Sequence, residues 1–142
     1  MERRALIEVE ARREPGAAPA DLDALADAVR SACSHVGITR ATVGLMLVSP
    51  AAMASVNGEH RGTPEPTDVL SFPVDGPEAL SWPDAGPPPE LGDILICPEA
   101  AEDPLPVLAV HGLLHLVGYD HEVDDGQMLA VQDDIVAALG AR

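Results

Sequence analysis

The chain has 142 residues, 46% of them hydrophobic and 23% charged, a composition that predicts one folded domain over residues 1–142 and excludes a disordered chain. Twenty-four Asp and Glu face eight Arg and no Lys, a formal charge of −16, and aromatics are 2% (Phe72, Trp82 and Tyr119). A broad basic face for nucleic acid and an aromatic platform for stacked bases are therefore excluded.

The first predicted element is a strand over Ala5 to Glu10, short and β-branched. Glu8 and Glu10 interrupt what would otherwise resemble a secretory leader, and no apolar run approaches the ~18 residues of a membrane span, so no membrane partner is expected. Asp21 then caps a helix over Leu22 to Val36, whose Leu22, Leu25, Val29, Cys33 and Val36 form one core-facing stripe ended by Gly37. Thr42 to Val48 is apolar on both faces and is read as a central strand. Ser49-Pro50 pairs an N-cap with a proline at the first helical position, and the short helix it opens is expected to stop near Asn57-Gly58. Glu59 to Pro66 reads as a polar loop, Thr67 to Phe72 as a third strand, and Asp75 to Pro89 as a surface excursion rich in Pro and Gly. Leu91 to Cys97 supplies a fourth strand. Leu105 to Val117 is apolar on every side except at two histidines, the pattern of a buried helix. After Gly118 a tight corner leads into a last helix over Asp124 to Leu139, on whose apolar face Gln132 is an interruption. The expected fold is α+β: a small mixed sheet of about four strands packed with helices.

Two cysteines, Cys33 and Cys97, stand far apart and outside any metal spacing, which predicts free thiols in a reducing cytoplasm.

The chemistry is concentrated in His111-Gly112-Leu113-Leu114-His115-Leu116-Val117-Gly118-Tyr119-Asp120-His121. His111 and His115 are four apart and share one helix face, and Gly118 lets the chain turn so that His121 returns from another direction. Three of the chain's five histidines converge in eleven residues. Burying two imidazoles without partners would cost roughly 1–3 kcal/mol each, and a metal removes that cost. Three imidazoles suit one tetrahedral Zn²⁺ per chain with an open fourth position, a catalytic rather than a structural arrangement. The spacing is that of the metzincin proteases, H-E-x-x-H-x-x-G-x-x-H, except that Gly112 stands in the slot of the glutamate base. Glycine cannot take a proton from water, and a glutamate there would crowd a substrate phosphate. Phosphodiester cleavage asks less of such a base, because the metal acidifies water and polarises a phosphoryl oxygen. Asp68, Asp93 and Asp120 are candidates for orienting the imidazoles.

HGLLHLVGYDH, with RGTPEPTDVLSFP at Arg61 to Pro73 and LGDILI at Leu91 to Ile96, resembles the YbeY family of bacterial endoribonucleases in motif content and order. The resemblance runs from Met46 to Leu139. It implies a zinc-dependent, single-strand-specific endoribonuclease acting in small-subunit (16S) ribosomal RNA maturation and ribosome quality control, with single-stranded RNA and the small ribosomal subunit or its proteins as partners. The family's zinc ligands carry over onto His111, His115 and His121, and its functionally important arginine onto Arg61. Thr63 and Glu65 stand where the family often has lysines, His60 where an aromatic is common, and the stretch from Glu99 to Pro106 is shorter than the family's by about one short helix. Arg61 is the only cation between Arg40 and Arg142, and its guanidinium can fork onto two phosphate oxygens as the catalytic arginine. Ser71 anchors its strand near the metal and has no chemical role in this reading. Two other classes compete: a metallopeptidase-like hydrolase of small substrates, and a non-catalytic ribosome-assembly module in which zinc is structural.

Overall fold

In the computed structural model, which describes residues 6–140, chain order is β1 (Leu6–Arg13), α1 (Leu22–His35), β2 (Arg40–Leu47), α2 (Pro50–Arg61), β3 (Val69–Pro73), a 3-10 turn (Gly76–Ser81), β4 (Glu90–Ile96), a second such turn (Pro98–Ala100), α3 (Leu105–Leu116) and α4 (Gln127–Gly140). Ala5, the first residue of the strand expected over 5–10, lies outside the described residues; the strand itself continues three residues further, to Arg13. The four strands form one sheet in the order β1-β2-β4-β3, with β1, β2 and β4 parallel and β3 antiparallel to β4.

β2 is central because both its faces are covered. Ala41, Val43, Leu45 and Leu47 point to one side and are buried beneath α1 and α3, while Met46 faces the other side with α2. β4 splits in the same way: Ile94 and Ile96 join the larger core with α1, α3 and α4, and Leu95 joins Met53 and Leu70 beneath α2. The result is three layers, with three helices on one face of a mixed sheet and one on the other. No helix among the described residues is long and apolar enough to cross a membrane.

The α1 cap is formed as its sequence requires, with the Asp21 carboxylate accepting from the Ala24 amide at 3.0 Å, and Gly37 beyond the helix takes φ +90°. Ser49 caps α2 in the same manner, accepting from the Ala52 amide at 3.1 Å. Yet α2 does not stop at Asn57-Gly58. It continues one more turn to Arg61 and ends on Gly62 in the left-handed conformation, φ +76°. Two contacts explain the extension. Asn57 is buried and its side-chain N–H donates to the Glu65 carbonyl at 2.9 Å, and Gly58 lets Pro64 pack against the helix, since a Cβ there would lie 3.3 Å from Pro64 Cα. The loop after α2 thus folds back onto the residues that read as a stop. His60 and Arg61 therefore stand on a helical turn and not in a loop.

α3 is apolar all round because it is enclosed by the sheet, α1 and α4; seven of its twelve residues are buried, Leu113, Leu114 and Leu116 completely. α4 begins at Gln127, three residues after the position expected, because Asp124 forms the preceding turn: its carboxylate accepts from the amides of Gly126 and Met128. Cys33 and Cys97 are free and fully buried, and burial pushes the Cys33 thiol up to about 12, so it is inert as a nucleophile.

Candidate metal centre

The sequence dictates how the three histidines meet. His111 and His115 lie one helical turn apart on α3, on the half-buried stripe that the enclosing elements leave open. Gly118 takes φ +104°, reversing the chain, and the turn that follows is tied by the Asp120 carbonyl accepting from the Val123 and Asp124 amides. That turn carries His121, exposed, back over the end of α3. One ligand nitrogen from each ring falls within 4.8 Å of the others, and ring centroids are 4.7, 5.1 and 5.2 Å apart.

The hydrogen bonds fix which nitrogens face the centre. His115 Nδ1 lies 3.0 Å from the Tyr119 carbonyl oxygen, which can only accept, so the proton is on Nδ1. His111 Nδ1 lies 2.8 Å from Gln132 Oε1 and donates likewise. Both Nε2 lone pairs then point at each other across 3.2 Å, a contact that repels unless a cation lies between them. Two nitrogens on one tetrahedral zinc, each about 2.0–2.1 Å from it, lie roughly 3.3 Å apart. The donor set fits that ion. Burial, and then the neighbouring His111 and His121, hold the His115 imidazole below the usual histidine range, which favours the neutral form a metal needs.

A cleft of about 410 Å³ opens beside these rings. It is lined by His60 and Arg61 from the last turn of α2, by Leu70 and Ser71 of β3, and by His115, His121, Asp120 and Glu122. The Ser71 hydroxyl donates to the Gly112 carbonyl at 2.9 Å, tying β3 to the ligand helix. Gly112 itself does not face the cleft. A Cβ there would meet Ile94 Cγ2 at 2.6 Å, so glycine is required for α3 to approach β4.

The family profile described as Endoribonuclease YbeY matches residues 16–140, a span that includes every residue of this site. The chain belongs to the YbeY family. Its relatives include the Endoribonuclease YbeY of Bradyrhizobium diazoefficiens, 40% identical over 91% of this chain and 76% of that protein, and the one from Moorella thermoacetica, 39% identical over 85% and 88%. The mycobacterial YbeY of Mycolicibacterium paratuberculosis is 40% identical over 68% of this chain, which spans 63% of that relative's length. Among solved structures, TM1509 from Thermotoga maritima superposes with a TM-score of 0.56 at 25% identity, covering 92% of this chain and 88% of that one.

Within this YbeY fold, the three histidines cluster, and Arg61 lines the same cleft as His115 and His121. Among the described residues, none of the three aspartates considered as orienting partners hydrogen-bonds an imidazole. Asp68 accepts from the Val69 amide at 2.8 Å, Asp120 from the Glu122 amide at 3.0 Å, and Asp93 lies over Gly44, its Oδ1 2.1 Å from where a Cβ would stand. The imidazoles are oriented instead by Gln132 and the Tyr119 carbonyl. Gln132 gave one sequence signal, a polar side chain at a core-facing position of α4. Its partner lies 21 residues away, so the signal showed that something was there without showing what.

Proposed function

We propose that this chain is a zinc-dependent endoribonuclease that cuts single-stranded RNA in small-subunit (16S) ribosomal RNA maturation and ribosome quality control, as a single domain over residues 1–142. The observation that carries the reading is the 3.2 Å approach of two unprotonated Nε2 atoms at the edge of a cleft that also holds Arg61. The curated relatives bear the name endoribonuclease, which supports RNA as the substrate. Two fully buried free thiols suit a reducing cytoplasm.

His111, His115 and His121 would hold one zinc per chain. Bound there, zinc supplies a Lewis acid that lowers the pKa of water toward neutrality and polarises a phosphoryl oxygen. The remaining work belongs to the chain. Gln132 and the Tyr119 carbonyl keep the Nδ1 protons of His111 and His115 on the outer side of the rings. Arg61, on a fixed helical turn, offers a fork of N–H donors to two oxygens of a phosphate and stabilises the charge that grows there. Ser71, which lines the cleft, ties β3 to α3.

The test is cleavage of single-stranded RNA by the zinc-loaded protein, lost with a chelator and restored by zinc. Cleavage of peptides but not of RNA would make the protein a peptidase. Cleavage of neither, with binding to the small ribosomal subunit retained, would make it an assembly module.

Arg61 carries a second expected result. A chain at −16 has few cations to neutralise phosphates, and Arg12, on β1, is already paired with Glu14 at 3.0 Å. Arg3 and Arg4 lie outside the described residues. RNA binding should therefore depend weakly on salt, with a log–log slope of about −0.7 to −1.4, equivalent to one or two phosphates. Arg61→Ala should flatten the slope and weaken binding, and Arg61→Lys should restore the charge without the fork. A slope corresponding to six or more phosphates, or an Arg61→Ala variant that binds as wild type does, overturns this assignment.

A further inference from the structure

On α4, Met128 and Ile135 are buried against α3, and Gln132 stands between them on the same face, half-buried. An aliphatic side chain would be expected there. Gln132 Oε1 instead accepts from His111 Nδ1 at 2.8 Å. A metal-ligating imidazole commonly donates to a carboxylate, which raises the ring's basicity and adds a negative charge to the site. Here both helix imidazoles donate to neutral oxygens, one an amide and one a backbone carbonyl. The surroundings give that neutrality weight. The chain carries −16, Asp120 and Glu122 already line the cleft, and among the described residues Arg61 is the only arginine lining it.

We propose that Gln132 is a positioning residue with two effects: it holds His111 as the Nδ1–H tautomer with Nε2 toward the centre, and, being neutral, it leaves the full charge of the bound cation available to a phosphate anion in the cleft. The proposal rests on the metal-centre reading above and adds a trade-off to it. A carboxylate at 132 would grip the metal better and the phosphate worse.

Three measurements test it on the full chain: zinc affinity by competition with a chelating dye at pH 8, binding of inorganic phosphate to the zinc-loaded protein, and the His111 tautomer in the metal-free protein by long-range proton–nitrogen NMR. In wild type, His111 carries its proton on Nδ1. Gln132→Leu, which suits the apolar face, should give mixed tautomers and bind zinc 10–100-fold more weakly. Gln132→Glu, the same shape with a charge, should bind zinc about tenfold more tightly. Its zinc-loaded form should bind inorganic phosphate roughly 3- to 30-fold more weakly. If the leucine variant fails to fold, the glutamate variant carries the test alone. An Nε2–H tautomer in wild type, unchanged zinc affinity in a folded Gln132→Leu, or unchanged phosphate affinity in Gln132→Glu overturns the proposal. Wild type that takes up no zinc overturns the metal-centre reading and the proposal with it; wild type that binds zinc while the variants match it overturns the proposal alone.

Discussion

His115→Ala should leave the protein folded and unable to keep zinc. His115 is the ligand whose Nε2 lies 3.2 Å from that of His111, and its ring is held by the Tyr119 carbonyl one turn on. If the ~10–16 kcal/mol of a four-ligand zinc site is shared evenly, one ligand accounts for roughly 3–4 kcal/mol, a loss in affinity on the order of 10²–10³-fold. Dialysed wild type should hold about one zinc per chain, the variant almost none, and RNA cleavage should fall with the metal. The cost to the fold is small, since the lost bond to Tyr119 is worth about 1 kcal/mol. Zinc-free wild type and zinc-free His115→Ala should therefore melt close together, while added zinc raises the melting temperature of wild type only. A variant that retains zinc through dialysis sinks the site.

Gly112→Glu should be severely destabilising. The position faces β4, where a Cβ would lie 2.6 Å from Ile94 Cγ2 and 3.3 Å from Ser71 Oγ. Ile94 is fully buried and cannot yield cheaply. Overpacking costs about 1–3 kcal/mol, and a carboxylate carried into this interface adds several more. Against a total of roughly 5–15 kcal/mol, that is enough to unfold the chain or to lower its melting temperature by about 10–20 °C. Gly112→Ala pays the packing cost but gains up to ~1 kcal/mol in helix propensity, so it should fall between. Thermal melting of the three metal-free proteins orders them; a Gly112→Glu variant as stable as wild type overturns the packing account. A glutamate here would therefore meet Ile94 and not the substrate phosphate, and what harm it does comes through the fold.

Local signals were legible in the sequence. The caps at Asp21 and Ser49, the two-faced apolarity of β2 and the histidine spacing on α3 each depend on neighbours within a few residues, and each is found where the pattern places it. Long-range contacts decided the rest. Asn57-Gly58 looks like a helix stop, yet the returning loop at Pro64 and Glu65 converts it into helix interior and so lifts Arg61 onto a helical turn. The aspartates looked like the natural partners of the imidazoles because carboxylates usually are, but nothing local told Gln132 apart from a flaw in an apolar face. Strand order was equally hidden: β4 inserts between β2 and β3, which no spacing along the chain reveals.

The three ligands are not anchored alike. Two sit on the most enclosed helix of the molecule, so packing of Leu113, Leu114 and Leu116 has already frozen their backbone before any ion arrives. The third rides on an exposed turn. The entropy of assembling the centre is thus borne mostly by the hydrophobic core, and the ion need order only one segment. The same asymmetry sets the route of exchange. Releasing His111 or His115 from the centre by backbone motion means opening the core, an event near global unfolding in cost, whereas the turn after Gly118 can swing away locally. Metal should enter and leave on the His121 side, at a rate governed by that turn and largely independent of the stability of the domain.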